Sequence, residues 1–239
     1  MLIQADAKAL EWVVISWLSQ DPVAMKEILD GVDQHSINQE RFGLPERVIA
    51  KIFVFRLIYG GTEFSYANDP DFMGVSTSQK FWKQVIDKFY DKYRGIADCH
   101  AGWVRTATTT GELVMPTGRR YGFFPYDNRR GEATWPRTKI LNYPVQGLAA
   151  DLMAIARVSL KRRLDALDSV VRNRIRLVST VHDSIVLDVP SEGFLDVVTR
   201  HVEYVFRDIP ANFSRLFVVD FNLPLRCEIT TGNNLRDLT

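Results

Sequence analysis

Asp6 and Asp183 lie 177 positions apart, and each ends a short apolar, β-branched stretch: Leu2-Ile3-Gln4-Ala5-Asp6 and Ser179-Thr180-Val181-His182-Asp183. Two carboxylates on neighbouring strand ends, with the Ala7 carbonyl as a further oxygen, can hold two Mg²⁺ ions. Hard cations take carboxylate, carbonyl, water and phosphate oxygens. In a two-metal site the ions sit ~3.5–4 Å apart and stabilise both the attacking and the leaving oxygen of an in-line displacement. Either aspartate alone is an ordinary turn residue. The chemistry needs the pair, so it needs the first strand to lie beside a hairpin spanning 176–189.

A second constellation lies between them. Arg47, Lys51, Phe55 and Tyr59 recur every four residues, so a helix over 46–60 sets them on one slowly drifting stripe. The cations can meet a triphosphate, the first ring can lie against a sugar, and the second can stack with a base. The same spacing suits an amphipathic helix with a solvated basic end and aromatic core contacts. The pattern alone leaves both readings open.

The elements that must position these residues follow from periodicity and punctuation. Residues 2–6 read as a strand and 8–19 as a helix. Pro22 opens a helix to Asp30, with Gly31 at its exit. After the helix at 46–60 comes one at 78–94, broken by Gly95 and continuing to about Thr108. Leu113–Phe124 reads as a hairpin around Thr117-Gly118. Residues 125–136 read as a loop and 145–166 as a long helix. Strands at 176–181 and 184–189 flank His182-Asp183. A helix at 191–206 and a strand near 223–229 close the chain. Strands at both ends with helices between predict an α+β fold with an antiparallel sheet and a large helical insertion.

Composition sets the outer limits. The 239 residues are 46% hydrophobic and 25% charged, with a net charge of +1. That is an ordinary globular balance with enough apolar content for a sizeable core. The charge is unevenly distributed. Residues 1–46 hold eight acids against three Lys/Arg, whereas 117–139 hold Arg119, Arg120, Arg129, Arg130, Arg137 and Lys139 against two acids. Residues 157–176 hold seven Lys/Arg against two aspartates. A neutral chain with basic patches can still present a track to phosphates. Only Cys99 and Cys227 are present, which excludes a disulfide framework or a zinc signature and suggests a cytoplasmic location. No apolar run reaches membrane-spanning length, so no membrane association is expected.

Several of these segments together resemble a known family. Asp6-Ala7-Lys8-Ala9-Leu10-Glu11, continued by Leu18-Ser19-Gln20-Asp21-Pro22 and Asp33-Gln34-His35, is similar to the first catalytic motif of family A DNA polymerases, the bacterial and phage DNA polymerase I type. Arg47-x3-Lys51-x3-Phe55-x3-Tyr59-Gly60 resembles that family's nucleotide-binding fingers helix. Asn142-Tyr143-Pro144-Val145-Gln146-Gly147 resembles its template and primer contact segment, Val181-His182-Asp183 its last catalytic motif, and Gly232-Asn233-Asn234-Leu235 its closing segment. The order is the family's, and the motifs cover nearly the whole chain.

The resemblance implies a right-hand polymerase fold without its thumb. Residues 1–30 would be the first part of the palm, 31–110 the fingers and 111–239 the second part of the palm. It implies DNA-directed DNA synthesis from dNTPs on a primer–template, with two Mg²⁺ held by Asp6, Asp183 and Ala7. His35, Arg47 and Lys51 would bind the triphosphate, and Lys51 would help protonate the leaving pyrophosphate. Glu11 would exclude a 2′-OH, Phe55 would pack on the sugar, and Tyr59 would sit by the templating base. Asn142, Gln146, His182, Arg137 and Lys139 would contact DNA. In the minor groove, acceptor positions are nearly sequence-independent, as a polymerase requires.

Three departures stand out. Ser184 occupies a position that is often Glu in the family, Thr138 one that is often Arg, and only 11 residues separate His35 from Arg47. The family's thumb and 3′–5′ exonuclease precede its first motif, which implies a fragment or a split enzyme with those parts on a separate polypeptide. Two rival readings remain. One is a single-subunit RNA polymerase-like nucleotidyltransferase. The other is a non-catalytic DNA-binding subunit that keeps the fold.

Overall fold

A computed structural model describes residues 1–128 and 130–238. Arg129 of the 117–139 basic patch lies outside the described residues. The chain divides into two compact units, Met1–Leu10 with Gly147–Thr239, and Glu11–Gln146.

The first unit is built on a four-stranded antiparallel sheet. Its strands are β1 (Leu2–Ala7), β6 (Arg176–Val181), β7 (Ser184–Asp188) and β8 (Cys227–Gly232), in the order β6-β7-β1-β8. The first strand of the chain is therefore internal, and register ties it on both sides. Asp6 faces Ser184 on β7 and Glu228 on β8. Period-two alternation buries Ile3, Ala5 and Ala7 and leaves Leu2, Gln4 and Asp6 on the half-exposed face. Helix α10 (Leu195–Phe217) buries Val198, Val202, Val205, Phe206, Ile209 and Phe213, one apolar stripe at helical spacing. Full burial of each such side chain is worth about 1.5–3 kcal/mol. The stripe explains why the helix runs past residue 206, where the sequence reading ended it, and why Pro210 is tolerated inside it.

The second unit is mainly helical: α1 (Leu10–Ser19), α2 (Pro22–Asp30), α3 (Gln34–Phe42), α4 (Arg47–Ile58), α5 (Glu63–Ala67), α6 (Gln79–Lys92) and α7 (Arg94–Thr110). Two small hairpins follow, β2–β3 (Glu112–Val114, Arg120–Gly122) and β4–β5 (Tyr126–Asp127, Ala133–Thr134). Its core is a set of interlocked rings. Phe53 packs on Phe42, Tyr66, Trp82 and Phe89, and Trp12 packs edge-on to Tyr93.

Several expectations need correction. Helix α3 was not anticipated. Its start is capped by Asp33, its end is closed by Gly43 in the left-handed region, and its low hydrophobicity hides the periodicity. The short α5 was missed because five residues are too few to show a helical period. The 125–136 loop contains the β4–β5 pair, turned by Asn128, whose Oδ1 accepts from the N–H groups of Arg130 and Glu132. Helix α8 runs from Arg137 to Asp165, so it begins eight residues before the expected start and carries Pro144 inside. The fully buried Ile140, Leu141 and Val145 hold the helix through the hydrogen bond that the proline lacks. The break between α6 and α7 falls at Tyr93, and Gly95 lies inside the first turn of α7. Gly95 is needed there for close approach. Its N–H donates to Asp21 Oδ2 at 2.8 Å, and a Cβ would stand 2.8 Å from Asp21 Cα. The last strand is shifted to Cys227–Gly232.

Candidate active site

In the first unit, strand pairing brings the backbones of the two aspartates to adjacent register positions. The Ala7 N–H donates to the Asp183 carbonyl at 2.9 Å, and Asp6 is the register partner of Ser184. Asp183, in the β6–β7 turn, thus lies one position before the residue that faces Asp6. Both are half-buried. His182 forms the exposed tip of the β6–β7 turn with φ +52°, an uncommon conformation for a non-glycine residue. Ser184 is buried, and its hydroxyl donates to the Val181 carbonyl at 3.0 Å, so it closes the turn. An acid at this position would have to give up that bond. The sequence reading overlooked Glu228, which faces Asp6 from β8 and pairs with Lys8 at 3.7 Å. Its signal was available, because residue 228 already lay within the expected strand near 223–229.

The donor set suits Mg²⁺ in kind, because Asp6 and Asp183 offer hard anionic oxygens at a half-open sheet end. Among the described residues, no cluster of three or more His, Cys, Asp or Glu side chains is arranged to hold an ion. An ion held here would need oxygen ligands beyond these side chains. Ala7 is only 2% exposed.

In the second unit, α3 and α4 bring four expected residues together. Lys51 Nζ stands 5.9 Å from the Phe55 ring, and the His35 ring centre is 5.9 Å from that of Phe55. Arg47 and Lys51 are exposed one turn apart on α4. His35 is 5% exposed, and its Nδ1 has no partner among the described residues. Burial first, then the charge of Arg47, lowers its pKa to about 4. His35 is therefore neutral near pH 7 and offers an N–H, not a second positive charge. Tyr59 lies just past the last helical residue of α4.

Asp33 is the residue that sequence reasoning missed. One carboxylate oxygen accepts from the His35 N–H (3.1 Å) and Arg47 Nη2 (3.1 Å). The other accepts from Ser36 Oγ (2.8 Å) and Arg47 Nε (2.6 Å). The Arg47 hydrogen bonds hold the Asp33 carboxyl well below the usual carboxylate range. The cap of α3 thereby anchors the guanidinium of α4. An Asp two positions before a candidate His, at a cap position, was the available signal.

Apart from His182, the DNA-contact candidates lie on α8. Asn142 and Gln146 are one turn apart on one face, and Arg137 and Lys139 are exposed in its first turn beside the exposed Thr138. Glu11 is half-buried in the first turn of α1. No helix among the described residues is long and apolar enough to cross a membrane.

The second unit carries a pH signature. His35 and His100 both sit neutral inside it, with pKa values lowered to about 4 and about 3, chiefly by burial. Unfolding restores ordinary histidine affinity near pH 6.5, so below that pH the unfolded chain takes up protons that the folded chain refuses. Stability is therefore full above about pH 6.5 and falls as pH drops toward 4. Together the two groups are worth a few kcal/mol, a melting shift of the order of 10 °C. Circular-dichroism melts between pH 7 and 4.5 check this; a constant melting temperature would contradict it.

Residues 1–237 match the model of DNA polymerase family A. DNA polymerase I of Lactococcus lactis subsp. lactis (strain IL1403) is 29% identical over 245 residues, covering 97% of this chain and 25% of that protein. DNA polymerase I of Streptococcus pneumoniae (strain ATCC BAA-255 / R6) is 30% identical over 210 residues, covering 82% of this chain and 23% of that protein. The chain spans about a quarter of the length of these curated relatives. A solved structure, the POL domain of Pol1 from M. smegmatis in complex with DNA primer-template and dNTP, superposes with a TM-score of 0.77. It is 24% identical, and the match covers 98% of this chain and 39% of that one, so the likeness establishes a polymerase-domain fold. With the family match spanning both units and every motif in order, the chain belongs to DNA polymerase family A.

Proposed function

We propose that this chain carries out template-directed DNA synthesis, adding deoxynucleotides to a primer 3′-OH and releasing pyrophosphate. The observation that carries the reading is the pairing of β1 with β7, which brings Asp6 beside Asp183 across 177 residues of sequence. Asp6 and Asp183, with the Ala7 carbonyl, are the residues that would hold two Mg²⁺. When bound, such ions lower the pKa of the primer hydroxyl and offset charge on the transferred phosphoryl group.

The protein's own residues bind and position. Arg47 and Lys51 neutralise the triphosphate, and neutral His35 donates one N–H to it. The primer 3′-hydroxyl gives its proton to solvent water, and its oxygen forms a bond to the α-phosphorus while the bond from that phosphorus to the bridging β-phosphate oxygen breaks. Pyrophosphate leaves with the electron pair, and Lys51 supplies a proton to it. Phe55 packs on the sugar, Glu11 crowds a 2′-OH, and Tyr59 meets the templating base. Asn142, Gln146, His182, Arg137 and Lys139 hold the primer–template. In functional terms residues 1–30 and 111–239 are palm and 31–110 fingers. A separate polypeptide carrying thumb and 3′–5′ exonuclease would complete the enzyme. Catalysis of this kind is mostly positioning and electrostatics.

Primer extension with matched dNTPs or rNTPs in Mg²⁺ tests the reading. Extension by dNTPs, with rNTPs strongly disfavoured, is expected. Preferential rNTP use would assign the chain to RNA synthesis instead, and incorporation of neither would leave a DNA-binding role.

Asp33→Asn gives a sharper test of the triphosphate site. Asn caps a helix as well as Asp does, so α3 keeps its start. Its amide nitrogen, however, cannot accept from Arg47. We expect KM for dNTP to rise about 5–10-fold, on the scale of one charge-assisted hydrogen bond, with little change in melting temperature. An unchanged KM would show that Arg47 does not need its anchor.

A further inference from the structure

One cleft, which shares only Arg137 with these constellations, holds cations without an ion-pair partner among the described residues. It has a volume of about 460 Å³ and lies wholly in the second unit. Its walls include Tyr90 of α6, Ala97, His100, Ala101 and Arg105 of α7, and Arg137 at the start of α8. The α7 residues recur at i, i+3, i+4 and i+8, so they share one helix face. The two alanines leave the space that larger side chains would fill.

No carboxylate lines the cleft among the described residues. Arg105 and Arg137 are exposed, and neither forms an ion pair among the described residues. Two guanidiniums bordering one concavity without a counter-charge raise its potential and attract an anion. A third group points the same way. His100 is 2% exposed, and its Nδ1 lies 3.1 Å from the Tyr90 hydroxyl. Its Nε2 is buried with no partner in the protein. Leaving such a group unsatisfied is destabilising, so it calls for an explanation.

The protonation states decide what that nitrogen offers. Burial raises the Tyr90 pKa to about 12, so its hydroxyl stays protonated and can donate. Burial, with the charge of Arg137, lowers the His100 pKa to about 3, so the ring is neutral. When Tyr90 donates to Nδ1, the ring proton must reside on Nε2. The cleft then presents two guanidiniums and one N–H donor, and none of its side chains offers an anionic oxygen.

We propose that this cleft is a phosphate-binding site, with Arg105 and Arg137 balancing the charge and His100 Nε2–H donating to a phosphate oxygen. A backbone phosphodiester of a nucleic-acid strand and free inorganic phosphate share this chemistry. The strand as source rests on the polymerase reading; the site itself does not.

The experiment has two arms. In the first, a labelled single-stranded oligonucleotide is titrated at several salt concentrations by fluorescence anisotropy. Neutralising one phosphate contact lowers the slope of log affinity against log salt by about 0.7 for single strands. Arg105→Gln, at an exposed position that folding tolerates, should lower it by that amount. Lys80→Gln, an exposed control on α6 outside the cleft, should not. In the second arm, inorganic phosphate is titrated while the ¹⁵N resonances of the His100 ring are followed. A slope change specific to Arg105→Gln identifies a strand phosphodiester. An Nε2 shift on adding phosphate that Arg105→Gln abolishes, with an unchanged slope, identifies free phosphate. Equal slopes for all three proteins with no ring shift overturn the proposal, as does an equal fall in both variants with no ring shift. None of these outcomes depends on nucleotide incorporation. A failure of the polymerase reading would appear in Asp183 variants and leave this site unaffected.

Discussion

Asp183→Asn should reduce nucleotide incorporation by about 10³-fold or more, equivalent to ~4 kcal/mol of transition-state stabilisation. The substitution keeps side-chain size and removes one of the two anionic oxygen donors at the β1–β7 sheet end. Asp6 alone, paired in register with the uncharged Ser184, cannot compensate. Structure should survive, because the turn is held by backbone and by Ser184. The Ala7 N–H bond goes to the residue-183 carbonyl, which the substitution leaves in place, and the Ser184 hydroxyl still reaches Val181. The measurements are single-turnover primer extension and a thermal melt on the same preparations. Equal rates in parent and variant would show that the aspartates are not catalytic and would favour a DNA-binding subunit. A lost rate with a collapsed melt would point to the turn instead. In that case Asp6→Asn, on a strand paired on both sides, separates the two explanations.

Lys51→Ala should slow incorporation by about 10²–10³-fold while changing primer–template affinity less than about threefold. The basis is its placement. Lys51 is exposed, one turn along α4 from Arg47, and its ammonium stands 5.9 Å from the Phe55 ring. Unlike Arg47, it is not held in a carboxylate fork. A group that meets a developing charge on the leaving pyrophosphate acts on the rate, because only interactions stronger in the transition state speed the chemistry. A group that merely attracts DNA would change affinity and its salt dependence instead. Rapid-quench rates set beside gel-shift affinities decide. A parallel loss of both would remove Lys51 from the triphosphate and place it on the strand. Arg47→Ala makes a useful companion, since it also releases Asp33 from two of its four hydrogen bonds and should cost some stability in α3.

Much of this was legible before folding was considered. The stripe of Arg47, Lys51 and Phe55 on α4 is a local periodicity, and the helix forms there, although it ends at Ile58 before Tyr59 and not at 60. Pro22 and Gly31 punctuate α2 as their backbone preferences dictate. The alternation in β1 and β6 and the apolar run in β7 mark strands, and the motif order marks the family. What escaped is polar and short. Helix α3 has few apolar residues, so its existence depends on caps at Asp33 and Gly43 and on packing that buries His35, Asn38 and Phe42. The early start of α8 escaped because Pro144 reads as a boundary, and only the buried neighbours Ile140, Leu141 and Val145 outweigh it.

By itself the sequence determined which side chains are available, on which kind of element, and to which family they belong, because helix and strand periods are properties of neighbouring residues. Tertiary structure alone decided which of them meet. Asp6 reaches Asp183 only through sheet pairing across most of the chain. Arg47 reaches Asp33 only because α3 and α4 pack together. The two cations beside a buried His100 converge only where α6, α7 and the start of α8 enclose a common cleft. Such contacts depend on burial and on satisfying buried polar groups over long sequence separations, and no local pattern encodes them.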